Sequence, residues 1–285
     1  MALVHSLWTK PMLNKERGVS LKKHLQTTIW CHALSVAYAK RSGEPIVLYT
    51  DELGRKLLSY LPYRQIYDIN IPKETPSELW AAGKFFALKQ MRLGDIHIDG
   101  DVFLKKLSLI RLLNKSLSEN DLIVQNIEDT VGSEWYSECR SIAKHFDLHP
   151  IYNCTNAFSH AYNCGVVGLN SQDLKDKYLE SYFSSLHQVQ NRPEVIAAVR
   201  HSNCCVMDLL FEQQHLYEIS EGYKCFCLLG RGEDAYNRAK ELGYQHVLGS
   251  CKWDLLRKIK HELKMADPEI YHMTKTKLKY VLKSL

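Results

Sequence analysis

The sequence is poor in the features that mark membrane-spanning, secreted and nucleic-acid-binding proteins. No apolar run among its 285 residues approaches the roughly 20 that a membrane span needs, and the first residues lack the charged start and long apolar run of a signal peptide. The nine cysteines include no pair of Cys-x-x-Cys motifs and indicate no disulfide framework. The net charge of +5 is too small to predict nucleic-acid binding. We expect a soluble, cytoplasmic protein with reduced thiols, in contact at most with the inner face of a membrane.

The first hundred residues alternate short apolar runs with longer amphipathic stretches, a pattern typical of a parallel sheet flanked by helices. The runs that predict strands are residues 3–8, 45–50, 65–71 and 96–98. The stretches that predict helices are residues 21–41, 55–61 and 76–91, with a loop at 51–54. In such sheets, ligands bind beyond the carboxyl ends of the strands.

The alternation is less regular in the rest of the chain. The predicted strands there are residues 122–127, 164–169 and 223–229. The predicted helices are residues 134–146, 171–186, most of 193–221, 232–242 and 253–265. No internal repeat, low-complexity segment or linker divides the chain, so we expect one continuous α/β domain over residues 1–285.

Two carboxylates follow the fourth predicted strand, at a position where such sheets bind ligands. Asp99 and Asp101 are separated by Gly100, which permits a backbone bend and the close approach of a ligand. Their oxygens suit Mg²⁺ or Mn²⁺, which in turn bridge the oxygens of a diphosphate. An apolar run, residues 102–104, follows, and charges so embedded are costly unless they are paired or bind a metal. The pair predicts a metal site, although Asp-x-Asp also occurs by chance on surface loops.

Two motifs further along the chain carry polar groups that suit a sugar. Asn163 precedes Gly165 at the head of an apolar strand, where the amide can bond a sugar hydroxyl and the glycine leaves room for the ligand. Glu212 and Gln213 place an acid and an amide side by side in a predicted helix. Taken alone, the first motif is better explained as the start of a strand and the second as a solvated helix end.

A third motif joins an imidazole to a lysine across a glycine. His246 can complete a metal site begun by two carboxylates. Lys252 lies six residues on, beyond Gly249, and can meet a phosphate as a point charge. A lone histidine is more often an ordinary surface or core residue, so this motif gains its weight from the others.

In this order, the motifs resemble those of the metal-dependent GT-A glycosyltransferases, and most of all the retaining group that includes glycogenin and the bacterial lipooligosaccharide galactosyltransferases. The motifs are Asp99-Gly100-Asp101, Asn163-Cys164-Gly165-Val166, Glu212-Gln213 and the His-x-x-Gly-x-x-Lys from His246 to Lys252. The resemblance extends from the first strand to about Trp253. It departs at Glu212, where the family usually has aspartate, at Cys164, where a small residue is common, and at Trp253, which follows the lysine without a proline.

The resemblance implies a fold and a set of site residues. The fold is a Rossmann-like, mixed and mostly parallel sheet flanked by helices, with a nucleotide-binding half (1–104), an acceptor and catalytic half (105–252) and a basic helical segment (253–285). The implied ligands of Mn²⁺ or Mg²⁺ are Asp99, Asp101 and His246. The implied diphosphate contacts are Gly249 and Lys252, and the implied nucleoside contacts are Trp8, Thr9, Tyr49 and Asp51. The implied catalytic residues are Asn163, Glu212 and Gln213.

The implied activity is a hexosyltransferase-like, retaining transfer from a nucleotide-diphosphate sugar to a hydroxyl of a glycan or lipid-linked acceptor. A nucleotidyltransferase is one alternative, but it would carry a glycine-rich phosphate loop near the amino terminus, and Gly18 is the only glycine in the first twenty residues. A non-catalytic protein that binds sugar nucleotides or glycans would use the same ligands. The basic segment from Lys252 to Lys283 could lie on an anionic membrane, although a solvated helix surface is the simpler explanation.

Overall fold

Strands and helices alternate through the part of the chain that the computed structural model describes, residues 1–13, 20–149, 159–202, 207–249 and 251–282. The strands are β1 (Leu3–Leu7), β2 (Ile46–Thr50), β3 (Gln65–Asp68), β4 (Ile96–Ile98), β5 (Val102–Leu104), β6 (Leu122–Asp129), β7 (His160–Leu169), β8 (Cys225–Cys227) and β9 (Tyr244–His246). The first helices are α1 (Lys10–Leu13), α2 (Leu21–Lys40), α3 (Glu52–Leu58), α4 (Ala82–Gln90), α5 (Leu107–Glu119), α6 (Glu134–His145) and α7 (Gln172–Gln190). The later ones are α8 (Pro193–His201), a π-helix (Leu209–Gln214), α9 (His215–Ile219), α10 (Glu233–Leu242), α11 (Cys251–Asp254), α12 (Leu256–Ala266) and α13 (Pro268–Val281).

Seven of these strands form one mixed sheet in the order β3-β2-β1-β4-β7-β6-β8. The pairs β1–β2, β1–β4, β2–β3 and β6–β8 are parallel. Only β7 is antiparallel to its neighbours, β4 and β6. Strands β5 and β9 pair antiparallel as a separate ribbon. The predicted mixed, mostly parallel sheet flanked by helices is confirmed, and the carboxyl ends of β1, β2 and β4 meet at one edge.

Apolar side chains cover both faces of the sheet, because neighbouring residues on a strand point to opposite faces. On one face, Leu3 packs in a core that includes α2, α12 and α13. On the other face, Val4 packs in a core that includes α4 and α7. Helices α12 and α13 bury Ile259, Ile270 and Leu278. The basic carboxyl-terminal segment is therefore also part of the core.

Two predicted elements in the first half of the chain have different bounds in the structure. The predicted loop 51–54 is the start of α3, because the Asp51 side chain caps this helix by accepting a hydrogen bond from the Gly54 amide at 2.8 Å. The predicted helix 76–91 begins only at Ala82, after a series of turns.

The stretch over residues 193–221 is mostly helical, as predicted. It is divided into α8, the π-helix and α9, and residues 203–206 lie outside the described part. Four further elements, α1, α5, β5 and β9, are not among the predicted ones. Strands β5 and β9 have three residues each, too few to show a period. Helix α5 buries Leu109, Leu113 and Leu117 at helical spacing, a signal that could have found it.

All six cysteines in the described residues are unpaired thiols. No helix among the described residues has both the length and the apolar character that crossing a bilayer requires.

Candidate metal centre

The backbone of the Asp-Gly-Asp turn is held from three sides. The Asp99 amide donates a hydrogen bond to the Gly165 carbonyl on β7 at 2.9 Å, and the Val102 amide closes the turn onto the Asp99 carbonyl at 2.9 Å. The Val247 amide, just after β9, donates to the Asp101 carbonyl at 3.1 Å. In the β5–β9 ribbon, Val102 lies opposite His246. The pairing of two very short strands thus brings a distant histidine beside the acidic pair.

Asp99, Asp101 and His246 form one group of metal-ligating side chains. Each offers a ligand atom, and these three atoms all lie within 4.8 Å of one another. The Nε2 atom of His246 is 3.5 Å from Asp101 Oδ1 and 4.0 Å from Asp99 Oδ2. Two carboxylates with one imidazole suit Mn²⁺ and are compatible with Mg²⁺. The structure therefore brings together the three predicted ligands in a set that fits a divalent ion.

Two glycines make this convergence possible, but for a reason that differs from the predicted one. A Cβ atom at Gly100 would lie 2.2 Å from Cε1 of His32, and one at Gly165 would lie 2.6 Å from Nδ1 of His246. The close approach expected at both glycines is therefore an approach of buried imidazoles, and the expectation that each leaves room for a ligand is corrected at these two positions.

Lys252 pairs with Asp101 on the open side of the group. Its ammonium contacts Asp101 Oδ2, and about a third of its side chain, 33%, is exposed. Burial disfavours the charged form of Asp101, but Lys252 and His246 outweigh this and hold the pKa of Asp101 below its usual range. Gly249 precedes this lysine with a positive φ of 51° and open space where a side chain would be. The structure thus places Lys252 next to the acidic pair.

Lys84, which sequence patterns did not single out, pairs with Asp99 on the inner side. Its Nζ atom lies 2.9 Å from Asp99 Oδ1 and 2.5 Å from Glu212 Oε1, and it donates to the Cys164 carbonyl at 2.9 Å. Burial would lower the pKa of Lys84, but the two carboxylates outweigh it and raise that pKa. Burial also raises the pKa of Glu212 to about 7, against the effect of Lys84. A lysine on the apolar face of α4 was the signal that could have found this pair.

The three predicted catalytic residues are buried and bonded within the protein. Glu212 pairs with Lys84, as described above. Gln213 accepts a hydrogen bond from the Tyr136 hydroxyl at 2.8 Å. Asn163 donates to Glu128 Oε1 at 2.7 Å and accepts from the Gly165 amide at 3.1 Å. The Tyr136 hydroxyl also lies 3.3 Å from Glu128 Oε2, so these side chains form one network. Sequence patterns missed its partly exposed carboxylate, Glu128.

Of the predicted nucleoside contacts, three lie at the carboxyl edge and one points away. The Thr9 amide and hydroxyl donate to Asp51 Oδ2 at 2.8 and 2.7 Å, which ties the ends of β1 and β2 together. Trp8 packs over Gly83, where a Cβ would lie 2.6 Å from that of the tryptophan. Tyr49 stacks on Tyr67 with its hydroxyl 3.5 Å from the Gln90 carbonyl. Since Gln90 ends α4 just before β4 begins, Tyr49 is not brought to the acidic pair.

His97 is a buried neighbour of this centre on β4. Its Nε2 atom is hydrogen-bonded to the Ser6 hydroxyl at 2.8 Å, and its Nδ1 atom lies 3.7 Å from Asp99 Oδ1. Burial holds the pKa of His97 well below its usual range. Burial thus favours the neutral ring, and its Nδ1 atom has no hydrogen-bond partner among the described residues.

Comparison with known proteins gives a family and a distant likeness of fold. No curated protein matches the chain. A solved structure of mouse xyloside xylosyltransferase 1, in its apo form, is similar at 12% identity, with a TM-score of 0.39, over 80% of this chain and 84% of that chain. A likeness of this size assigns neither activity nor substrate. The model of a family of unknown function (DUF6734) matches residues 1–277, and this protein belongs to that family.

Proposed function

We propose that this protein is a metal-dependent glycosyltransferase that moves a sugar from a nucleotide-diphosphate sugar to a hydroxyl of a glycan or lipid-linked acceptor. The observation that carries the proposal is the convergence of Asp99, Asp101 and His246 beside Lys252. A divalent-ion ligand set next to an accessible lysine is what a diphosphate leaving group needs, because both neutralise the negative charge that grows on it.

In this proposal, Asp99, Asp101 and His246 hold Mn²⁺ or Mg²⁺. When bound, the ion supplies positive charge to the diphosphate oxygens. Lys252 exchanges its contact with Asp101 for a phosphate oxygen, which its exposure permits. The backbone at Gly249, with open space beside it, approaches the diphosphate.

The remaining predicted residues take places around the two other parts of the donor. Trp8, Thr9 and Asp51 contact the nucleoside at the carboxyl edge, and Tyr49 contributes only by packing against Tyr67. The sugar lies over Asn163 and Gln213. Glu212, with 1% of its side chain exposed, acts on this region through Lys84.

The proposed transfer is retaining and passes through an oxocarbenium-like state. No described side chain stands out as a general base for the acceptor hydroxyl. In the proposed transfer, the leaving phosphate therefore accepts the proton of that hydroxyl. Retention is inferred from the order of the four motifs, and the anomeric configuration of the product would test it.

A thermal-shift screen of sugar nucleotides, with and without Mn²⁺, tests the donor half of this proposal, because a bound ligand raises apparent stability by mass action. Transfer is then measured as release of the nucleoside diphosphate. Asp101→Asn should abolish Mn²⁺-dependent donor binding and turnover while the protein stays folded. Asp95→Asn is the matched control, since Asp95 lies at the other end of β4 and accepts a hydrogen bond from the Ala2 amide at 2.6 Å. Full activity of Asp101→Asn would overturn the site.

A non-catalytic protein that binds sugar nucleotides is the second candidate, and one observation favours it. All three predicted catalytic side chains are engaged by other protein groups: Lys84, Tyr136 and Glu128. Donor binding that depends on Mn²⁺, with no transfer or hydrolysis for any acceptor, would decide for this candidate. Turnover above the Asp101→Asn background would decide against it.

We also propose that the carboxyl-terminal helices contact an anionic membrane near a lipid-linked acceptor. The exposed basic residues there are Arg257, Lys258, Lys264, Lys275 and Lys279. Met265 and Tyr280 are exposed beside them, at 72% and 70%. Because both helices also bury core residues, truncation is a poor test. Replacing these five basic residues with glutamine should reduce co-sedimentation with phosphatidylserine vesicles; unchanged sedimentation would exclude the contact.

A further inference from the structure

The side chain of Gln125 is aimed at the metal centre by an irregularity in β6. The register between β6 and β7 shifts between Val124 and Asn126, so Gln125 stands in a bulge. Bulges next to functional sites redirect a side chain that regular pairing would place elsewhere. Here, Gln125 is buried, and a Cβ at Gly165 would lie 2.3 Å from its Oε1 atom. The bulge and the glycine together let this amide reach His246.

The hydrogen bonds around Gln125 run in one direction. They start from the Ile127 carbonyl, which can only accept, and which receives a bond from Asn126 Nδ2 at 3.4 Å. Asn126 Oδ1 then accepts from Gln125 Nε2 at 2.9 Å. This leaves Gln125 Oε1 to accept, from the Tyr244 hydroxyl at 2.5 Å and from His246 Nδ1 at 2.9 Å.

Because Gln125 Oε1 must accept, His246 must carry its proton on Nδ1. The Nε2 atom then presents a lone pair, and this is the atom that lies 3.5 Å from Asp101 Oδ1. A lone pair facing a carboxylate is unfavourable without a cation between them, whereas it is what metal ligation requires. Histidine ligands ordinarily have the tautomer fixed by a hydrogen bond to the other ring nitrogen.

We propose that Gln125 is the positioning residue of the metal centre: it fixes the Nδ1–H tautomer of His246 and aims Nε2 at the ion held with Asp99 and Asp101. The proposal rests on the metal site proposed above. It assigns to Gln125 no contact with substrate or with the ion.

Mn²⁺ binding by the intact chain, measured by electron paramagnetic resonance without nucleotide, tests this role. Gln125→Leu removes the acceptor and should weaken Mn²⁺ binding by about 10- to 100-fold, the usual effect of losing such a partner. Gln125→Glu keeps an acceptor oxygen and should restore most of the affinity. Tyr244→Phe is the matched control, because it removes the other donor to the same oxygen and should leave Mn²⁺ binding unchanged.

The tautomer can also be read directly, in the metal-free protein and without any change at Gln125. Histidine-labelled ¹⁵N NMR, with the His246 signals assigned by their loss in His246→Asn, should show a protonated Nδ1. An unprotonated Nδ1 would overturn the proposal, as would wild-type Mn²⁺ affinity in folded Gln125→Leu. Unchanged Mn²⁺ binding in His246→Asn and Asp101→Asn would instead overturn the metal site itself.

Discussion

The two aspartates of the Asp-Gly-Asp turn each pair with a lysine, but the two lysines differ in how far they are exposed to solvent. Lys84, which pairs with Asp99 and Glu212, has 5% of its side chain exposed, and Glu212 has 1%. Lys252, which pairs with Asp101, has 33% of its side chain exposed. The first lysine is enclosed by the fold and bridges two carboxylates. The second sits at the rim with a single carboxylate partner.

This difference separates a permanent counter-ion from an exchangeable one. Removing Lys84 would leave two carboxylates without a cation in a buried place, which is costly. Lys252 is partly exposed, and His246 stays beside Asp101 when the lysine turns to another anion. Lys84 therefore stabilises the two buried carboxylates permanently, whereas Lys252 can exchange Asp101 for a ligand.

The largest expected difference between the two lysines is in their contribution to the free energy of unfolding. Lys84→Met should lower the free energy of unfolding by about 3–5 kcal/mol, because it breaks a buried pair from one side. Lys252→Met should lower it by less, because the lysine is partly exposed and His246 remains 3.5 Å from Asp101. Urea unfolding at pH 7 measures both, and adding Glu212→Gln to Lys84→Met should recover part of the loss. Equal losses in the two single variants would contradict the distinction.

A smaller effect concerns metal binding. Lys252→Met should strengthen Mn²⁺ binding without nucleotide, because the competing ammonium beside Asp101 is gone. It should weaken the binding of a nucleoside diphosphate in the presence of Mn²⁺ by about tenfold, the equivalent of about 1.4 kcal/mol. Calorimetric titration gives both affinities. Lys258→Met, which removes an exposed charge from α12, is the control and should change neither. Parallel weakening of both affinities would mean that Lys252 does not compete with the ion.

A third effect concerns the pH dependence of stability. Glu212 has a pKa raised to about 7, so between its unfolded value and pH 7 the native protein binds more protons than the unfolded chain. Its contribution to stability is thus present at low pH and is lost as the pH rises through about 7, by at most about 1.4 kcal/mol per pH unit. Glu212→Gln should remove this decline between pH 5 and 8 in urea unfolding. Asp101→Asn should leave it intact, since the pKa of Asp101 is lowered. Identical slopes in wild type and Glu212→Gln would contradict the assignment.

The sequence predicted the parts of the site that follow from strand position. Asp99 and Asp101 come directly after a strand, and parallel strands end at one edge, so their place could be inferred. His246 and Lys252 were joined to them through the order of motifs. Lys84 was missed because it lies within the apolar helix α4, where a helical pattern conceals a single charged residue.

Other features of the structure are not indicated by any short stretch of the sequence. The bulge at Gln125 is a property of the pairing between β6 and β7, and no residue type in β6 indicates it. The direction of Tyr49 depends on which face of β2 is covered by α4. The break between α8 and the π-helix lies in a stretch whose helical pattern is nearly continuous.

The sequence by itself determined the chemistry that is present: two carboxylates around a glycine, an imidazole, a lysine, and the alternation of strands and helices that places the acids at a sheet edge. Only the tertiary structure decided how these groups are partnered. It placed imidazoles against Gly100 and Gly165, enclosed Lys84 between Asp99 and Glu212, and left Lys252 at the rim. The reason is physical, because burial and neighbouring charge depend on residues far apart in the chain, whereas a motif specifies only what lies within a few residues of itself.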